Sequence, residues 1–519
     1  MSPQIPIESI NAPKIGVGGY VGFNPCTEIL PRGWRHPEHA DAKPITSEIL
    51  VEHDVAIPMR DGITLYADIL RPTGGENVPA ILCWSPFGKK FNGIKSLGLM
   101  TPWNLGIPSG TLSGLEKFEA PDPADWVPAG YAIINIDSRG SGDSEGTMVI
   151  MGQQEAEDGY DAIEHVAKLP WCNGRVGLAG NSHLAIAQWF IAALQPPSLK
   201  AIAPWEGCGD LYREQFARGG IYAGDLFDNL IVKYMLQGRN GVESFRKMFE
   251  EHPLANAWWN DKRPDMKKIQ VPTYITGTWT NTMHGMGAIR GWLEIPSQDK
   301  WLRWHPWQEW QAYLGPNNNI VLDQPLESNS SLRYDSQSDD HLEFMYTFQE
   351  TTQLIGIPKA VLYMSCPDHD DLDVYVTIEK LDKDGKQMKN LNIPWGGIPA
   401  NSFEDIRPNE ETEVIAYKGP SGILRASHRA IDENKSMHPH WPFHPHDREE
   451  KIEPGSIVRL DIGIWAFGIE YERGESLRVV IGGRNRSISN FGKDHTNNKG
   501  KHILHFGSEY QSHLILPFV

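Results

Sequence analysis

Apolar residues fall along the chain in two rhythms, and the change from one to the other after Pro316 divides it. Before that point short apolar runs recur at 78–84, 131–136, 176–179, 201–204 and 273–277, separated by helical patterns or long insertions. Such alternation predicts a mainly parallel sheet with helices on both faces. In sheets of that kind the reactive groups gather at the carboxyl ends of the strands. Ahead of them, 49–57 and 63–71 predict two strands joined by the turn Arg60-Asp61-Gly62. Between 209 and 265 the pattern becomes helix-like, as at 228–236 and 242–251, which predicts a helical insertion into the core. Beyond 321, stretches such as 373–378, 457–464 and 477–481 alternate apolar and polar residues and predict the antiparallel strands of a sandwich. Residues 1–45 are rich in Pro, Gly and His, lack periodicity, and predict an arm lying over the body.

One stretch on this frame carries chemistry. Gly180-Asn181-Ser182-His183-Leu184-Ala185 places a serine between the apolar run 176–179 and a helix-like segment at 186–194. A strand-to-helix turn lifts Oγ clear of the backbone and aims the next N–H, that of His183, at the oxyanion of an acyl intermediate. Small residues flank such a serine because the turn is crowded, although Leu184 stands where the usual pattern ends in glycine.

The surrounding motifs extend the pattern. They are Met59-Arg60-Asp61-Gly62, the run Asp137-Ser138-Arg139-Gly140-Ser141-Gly142-Asp143-Ser144-Glu145-Gly146, Trp171-Cys172-Asn173-Gly174, and Leu424-Arg425-Ala426-Ser427-His428 far downstream. Together they resemble the CocE/NonD hydrolases, the family of cocaine esterase, X-Pro dipeptidyl peptidase and α-amino-acid ester hydrolase. The resemblance spans roughly residues 45–519. It implies an α/β fold: an α/β-hydrolase core over 46–208 and 266–320, a helical cap at 209–265 and a carboxyl-terminal β jelly roll over 321–519.

It also implies a triad, and there the chain departs from its relatives. The family's acid would fall at Asn281 in Trp279-Thr280-Asn281, and its base at Gln308 or Glu309 in Trp304-His305-Pro306-Trp307-Gln308-Glu309. The tyrosine hydroxyl of the family's oxyanion site is replaced by Phe87 in Ser85-Pro86-Phe87-Gly88. His305, at the end of the predicted last strand, is a candidate base with Glu309 orienting it, and His284 is a second candidate. The His183 ring lies next to the nucleophile in sequence. Two expectations follow. Either a rearranged base serves Ser182 in ester, amide or lactone hydrolysis or acyl transfer, or the scaffold catalyses a non-hydrolytic cyclisation, isomerisation, elimination or pericyclic step.

Composition narrows the substrate. Of 18 tryptophans, many fall near the expected pocket, including Trp205, Trp279, Trp304 and Trp307, which predicts an aromatic wall for a hydrophobic small molecule. Glu206, next to Trp205, would bind an amine, act as an acid or base, or pair with an arginine such as Arg213. A formal charge of −18 argues against a nucleic-acid partner, and no apolar run is long enough for a membrane span. Residues 1–19 lack a basic start followed by an apolar core, so no secretory signal is expected. Five scattered cysteines predict free thiols in a cytoplasmic setting. Asp368-His369-Asp370-Asp371 and His438 to His446 read as loop chemistry, so neither a metal nor a cofactor is expected. The oligomeric state is left open, a homo-oligomer included.

Overall fold

The computed structural model describes residues 5–100, 105–281, 283–305, 330–393, 398, 400–402, 405–407, 415–486, 492–507 and 509–519. Nine strands form the central sheet: β1 (Cys26–Leu30), β2 (Ile49–Pro58), β3 (Thr64–Pro72), β4 (Val78–Ser85), β5 (Ala132–Asp137), β6 (Cys172–Asn181), β7 (Leu199–Trp205), β8 (Thr273–Thr278) and β9 (Lys300–His305). Their order is β9-β8-β7-β6-β4-β5-β3-β2-β1. Pairs from β9 to β5 are parallel, and β5–β3, β3–β2 and β2–β1 are antiparallel. The interior strands are apolar at nearly every position because both faces are covered; all six residues of β5 are buried.

Helices α1 (Gln153–Val166) and α2 (His183–Ala193) pack on one another beside this sheet. Helix α1 is amphipathic and turns Gly159, Ala162 and Val166 inward. Helix α2 is buried from His183 to Ala192, consistent with a sequence that is apolar all round except at His183 and Gln188. That glutamine is satisfied by β7: Nε2 donates to Leu184 O at 3.0 Å and Ala203 O at 3.3 Å, and Oε1 accepts from Ala203 N at 2.9 Å. The pair of bonds to Ala203 fixes α2 against the sheet.

The insertion after β7 carries helices, as its pattern predicts, but of mixed type. Leu211–Phe216 and Phe227–Met235 are π-helical, and true α-helix is confined to Phe245–Glu251 and Ala257–Asp261. Val242–Glu243, expected to be helical, is a strand because Ile7–Glu8 of the amino-terminal arm pairs with it antiparallel. Helix Phe245–Glu251 then starts on Ser244, whose hydroxyl accepts from Lys247 N. The arm region holds one further element that its sequence did not signal: β1, the outer strand of the large sheet.

The carboxyl-terminal part is a sandwich of two antiparallel sheets. One runs Ser330–Asp335, Lys501–Phe506, Lys359–Ser365, Val458–Gly463; the other runs His341–Thr347, Ser476–Gly482, Asp373–Leu381, Gln387–Met388. Their inward residues, among them Leu362, Val376, Ile378, Leu460 and Leu504, form one buried cluster.

Candidate active site

The turn after β6 has the strain that a serine elbow requires. Ser182 adopts φ 54° and ψ −117°, outside the conformations side-chain-bearing residues prefer, and is half-buried. Two hydrogen bonds and the helix that follows hold it there. Asn181 N donates to Glu119 O at 2.9 Å, Ser182 N donates to Glu206 O at 3.0 Å, and the chain continues directly into α2. Gly180, at φ 140°, admits no side chain, since a Cβ would stand 2.6 Å from Leu184 Cβ. Leu184 is therefore tolerated at the usual glycine position because Gly180 makes the room, while Gly207 lets the first turn of α2 approach the end of β7. A Cβ on Gly207 would meet Ile186 N at 2.8 Å.

His183 opens α2, so its backbone N–H belongs to the helix N-terminus, where donors lack intrahelical partners and negative charge is favoured. Its ring has another task. Nε2 lies 3.0 Å from Glu155 Oε1, which also accepts from Trp84 Nε1 at 3.0 Å, while the second carboxylate oxygen accepts from Met151 N. Burial pushes the Glu155 carboxyl up, but the charge and hydrogen bond of His183 bring it below the usual carboxylate range. An imidazole held this way is a structural partner of Glu155. Phe87 is likewise a packing residue, edge-on to Phe118 at 5.5 Å and to His183 at 6.1 Å.

The opposite side of the elbow holds a polar network. Glu206 follows β7 with φ 58° and is wholly buried. Its Oε1 is 2.7 Å from His305 Nε2, at the end of β9, and its Oε2 accepts from Asn281 Nδ2 at 3.2 Å. Arg213, the partner considered for Glu206, instead pairs with Asp210 at 3.0 Å. Asn281 Oδ1 accepts from Met283 N at 2.8 Å and His284 N at 3.1 Å, and its Nδ2 is 3.4 Å from His284 Nδ1. Asn281 thus organises the entry to helix α3 (Gly285–Glu294), and His284 is buried at its start. Glu309 and Trp307 lie outside the described residues, so within them the carboxylate on His305 is that of Glu206.

The tryptophans divide differently from expectation. Trp279 and Trp304 pack on each other at 5.0 Å, the first against Gly468 of the sandwich and the second over Gly277 of β8. Trp279 serves the joint between core and sandwich, and Trp304 backs it from the core. Trp205 is half-buried beside the elbow, and its carbonyl faces Ser182 N at 3.3 Å. Next to the network opens a cleft lined by Tyr222, Phe227, Met283 and Tyr375 and, across from them, by the charged Arg218, Asp225, Lys493 and Asp494. Its aromatic surface is tyrosine and phenylalanine, and Met283 connects it to Asn281.

Two residues near the serine, Glu155 and Glu119, were not signalled as functional. Glu155 had one available clue: it shares a helix face with Gly159, Ala162 and Val166, where a carboxylate must be buried with a partner. Glu119 lies in an irregular segment and carried none; its Oε1 accepts from Asn181 Nδ2 at 3.3 Å.

Comparison with known proteins agrees with this layout. The family profile of X-Pro dipeptidyl-peptidase (S15 family) matches residues 61–241, and that of the X-Pro dipeptidyl-peptidase C-terminal non-catalytic domain matches 305–515. Cocaine esterase from Rhodococcus sp. (strain MB1 Bresler) is 34% identical over 163 residues, 31% of this chain and 25% of that protein, so the match spans about a quarter of the curated relative. The crystal structure of a CocE/NonD family hydrolase from Staphylococcus aureus superposes with a TM-score of 0.81 at 27% identity, covering 98% of this chain and 99% of the other. An α-amino acid ester hydrolase shares the fold alone, at a TM-score of 0.61 and 14% identity over 92% and 97% of the two chains. Carrying both parts of the peptidase pattern in order, and superposing end to end on a CocE/NonD hydrolase, this chain belongs to the CocE/NonD family of α/β-hydrolases.

Proposed function

We propose that this protein is a cofactor-independent serine hydrolase that cleaves, or transfers the acyl group of, an ester, amide or lactone in a hydrophobic small molecule. The observation that carries this reading is Ser182 itself, a half-buried serine in strained backbone at the head of a buried helix. No packing role explains that strain, and an acyl-transfer nucleophile does. Attack by Oγ on the carbonyl carbon would place the oxyanion at the amino end of α2, near the His183 N–H. A histidine at the strand ends would take the hydroxyl proton and return it to the leaving group; His305 and His284 are the buried candidates there. The cleft beside Met283, lined by Tyr222, Phe227 and Tyr375 as well as by charged side chains, supports a substrate of modest size that carries both apolar and polar surface.

The test is turnover of p-nitrophenyl esters of graded acyl length by the wild type and by Ser182→Ala. The variant is expected to lose about 10⁴-fold or more in kcat. Retention of wild-type turnover would overturn the nucleophile assignment. It would also move the scaffold to the non-hydrolytic class, in which shape and polar groups act on a substrate without an acyl-enzyme.

A further inference from the structure

We infer that Glu206 supplies the carboxylate of the proton relay and that His305 is the imidazole it serves, so that the acid has moved from the end of β8 to the end of β7. This rests on the serine-hydrolase reading above and deepens it.

The position after β8 offers no carboxylate, because Asn281 stands there. Nor does Asn281 replace one by its oxygen, which is occupied by the N–H groups of Met283 and His284. Its amide nitrogen instead donates to Glu206 Oε2 at 3.2 Å. The other carboxylate oxygen, Oε1, stands 2.7 Å from His305 Nε2. Asparagine at this place therefore acts as a donor to the displaced carboxylate, a role an aspartate could not fill without repelling it.

Burial makes the pairing consequential. Both Glu206 and His305 are 0% exposed, and a carboxylate taken wholly out of water requires a partner of opposite charge or a dense set of donors. The backbone fastens this carboxylate to the nucleophile. Glu206 is held at φ 58°, a conformation costly for a residue with a side chain, and its carbonyl oxygen is the acceptor of the Ser182 N–H. Serine, carboxylate and imidazole thus come from the carboxyl ends of β6, β7 and β9, the edge of a parallel sheet on which reactive groups assemble.

In the step so assigned, the Ser182 Oγ–carbon bond forms as the carbonyl π pair moves onto oxygen and the hydroxyl proton passes to the His305 ring. The carbon–leaving-group bond then breaks, and His305 returns the proton to the departing oxygen or nitrogen. Water repeats the sequence on the acyl-enzyme. Glu206 stays ionised throughout, orienting the ring and balancing its charge, and is a positioning residue rather than a reacting one.

The experiment uses the full chain and p-nitrophenyl butyrate, with E206Q, E206D and S182A measured side by side for kcat, KM and thermal midpoint. E206Q is expected to lose about 10³- to 10⁴-fold in kcat with KM within about 2-fold of wild type. E206D, which keeps the charge one methylene short, is expected to recover about 10-fold of that loss and to stay at least about 10²-fold below wild type. A merely structural Glu206 would lower the thermal midpoint and leave kcat per folded molecule unchanged, and that result overturns the inference. Equal kcat in E206Q and E206D overturns it as well. Where E206Q does not fold, E206D decides: a wild-type kcat contradicts the assignment, and a fall of about 10²-fold at constant KM supports it. Wild-type turnover by S182A would sink the serine reading itself, an outcome distinct from failure at Glu206.

Discussion

At the scale of single residues, the site is organised by buried carboxylates more than by its histidines. Glu155 accepts from Trp84 Nε1 and Met151 N and pairs with His183, with both side chains of the ion pair 3% exposed. Glu155→Ala would leave two ring N–H groups and a backbone amide without their acceptor in the interior. At about 1–3 kcal/mol for each unsatisfied buried group, the variant is expected to lose at least about 3 kcal/mol. Urea denaturation measures this, and an unchanged midpoint and slope would show that the carboxylate carries no structural weight. The elbow was legible in sequence because a serine among small residues between a strand pattern and a helix pattern is a local signal. The partner of Glu206 was not legible. Glu206 and His305 are brought together by strand order, and nothing in either residue's own neighbourhood distinguishes a carboxylate bound for an imidazole from one bound for Arg213.

At the scale of elements, the arm and the insertion after β7 are one mechanical unit. Beyond the strand pairing of Ile7–Glu8 with Val242–Glu243, Ser244 N donates to Pro6 O and Gly238 N donates to Asn11 O, each at 2.9 Å. Truncation of the first 24 residues is therefore expected to speed amide exchange at Gly238 and Ser244 while leaving the amides of β5 protected. Unchanged exchange at those two positions would contradict the arm's role as a strap. The parallel strands were readable from continuous apolar runs, since burial on both faces demands them. The π-helical turns were not, because over six to nine residues an i→i+5 pattern of apolar positions resembles an α-helical one. Tryptophan composition also misled: the sequence shows an apolar payload, and only the packing of Trp279 on Gly468 shows that it serves a joint.

Over the whole molecule, core, insertion and sandwich meet around buried histidines. His428 Nδ1 lies 2.8 Å from His446 Nδ1, the His446 ring is 5.3 Å from Tyr212 in the insertion, and Ala255 N donates to His446 O. Burial pushes His428 down to about 4, helped by Arg425, and holds His446 well below its ordinary 6.5. Burial likewise lowers His502, inside the sandwich, to about 4. The unfolded chain therefore binds these protons before the folded one does. Stability is complete above about pH 6.5 and is lost as pH falls toward 4, at up to about 1.4 kcal/mol per pH unit for each such group. The thermal midpoint is expected to drop between pH 6.5 and 4, and His428→Asn or His502→Asn to make that drop shallower. A flat profile across this window would contradict the assignment. Among the described residues no helix is long and apolar enough to cross a membrane, and all five cysteines are unpaired.

The account as a whole depends on Ser182 being a reactive nucleophile at a strained turn. The direct measurement is labelling of the native protein with a fluorophosphonate, followed by mass analysis of the intact chain and of its peptides. The expected result is a single adduct on the peptide containing Ser182, absent from unfolded protein and from Ser182→Ala. No adduct on the folded chain, or an adduct on a different residue, would contradict it.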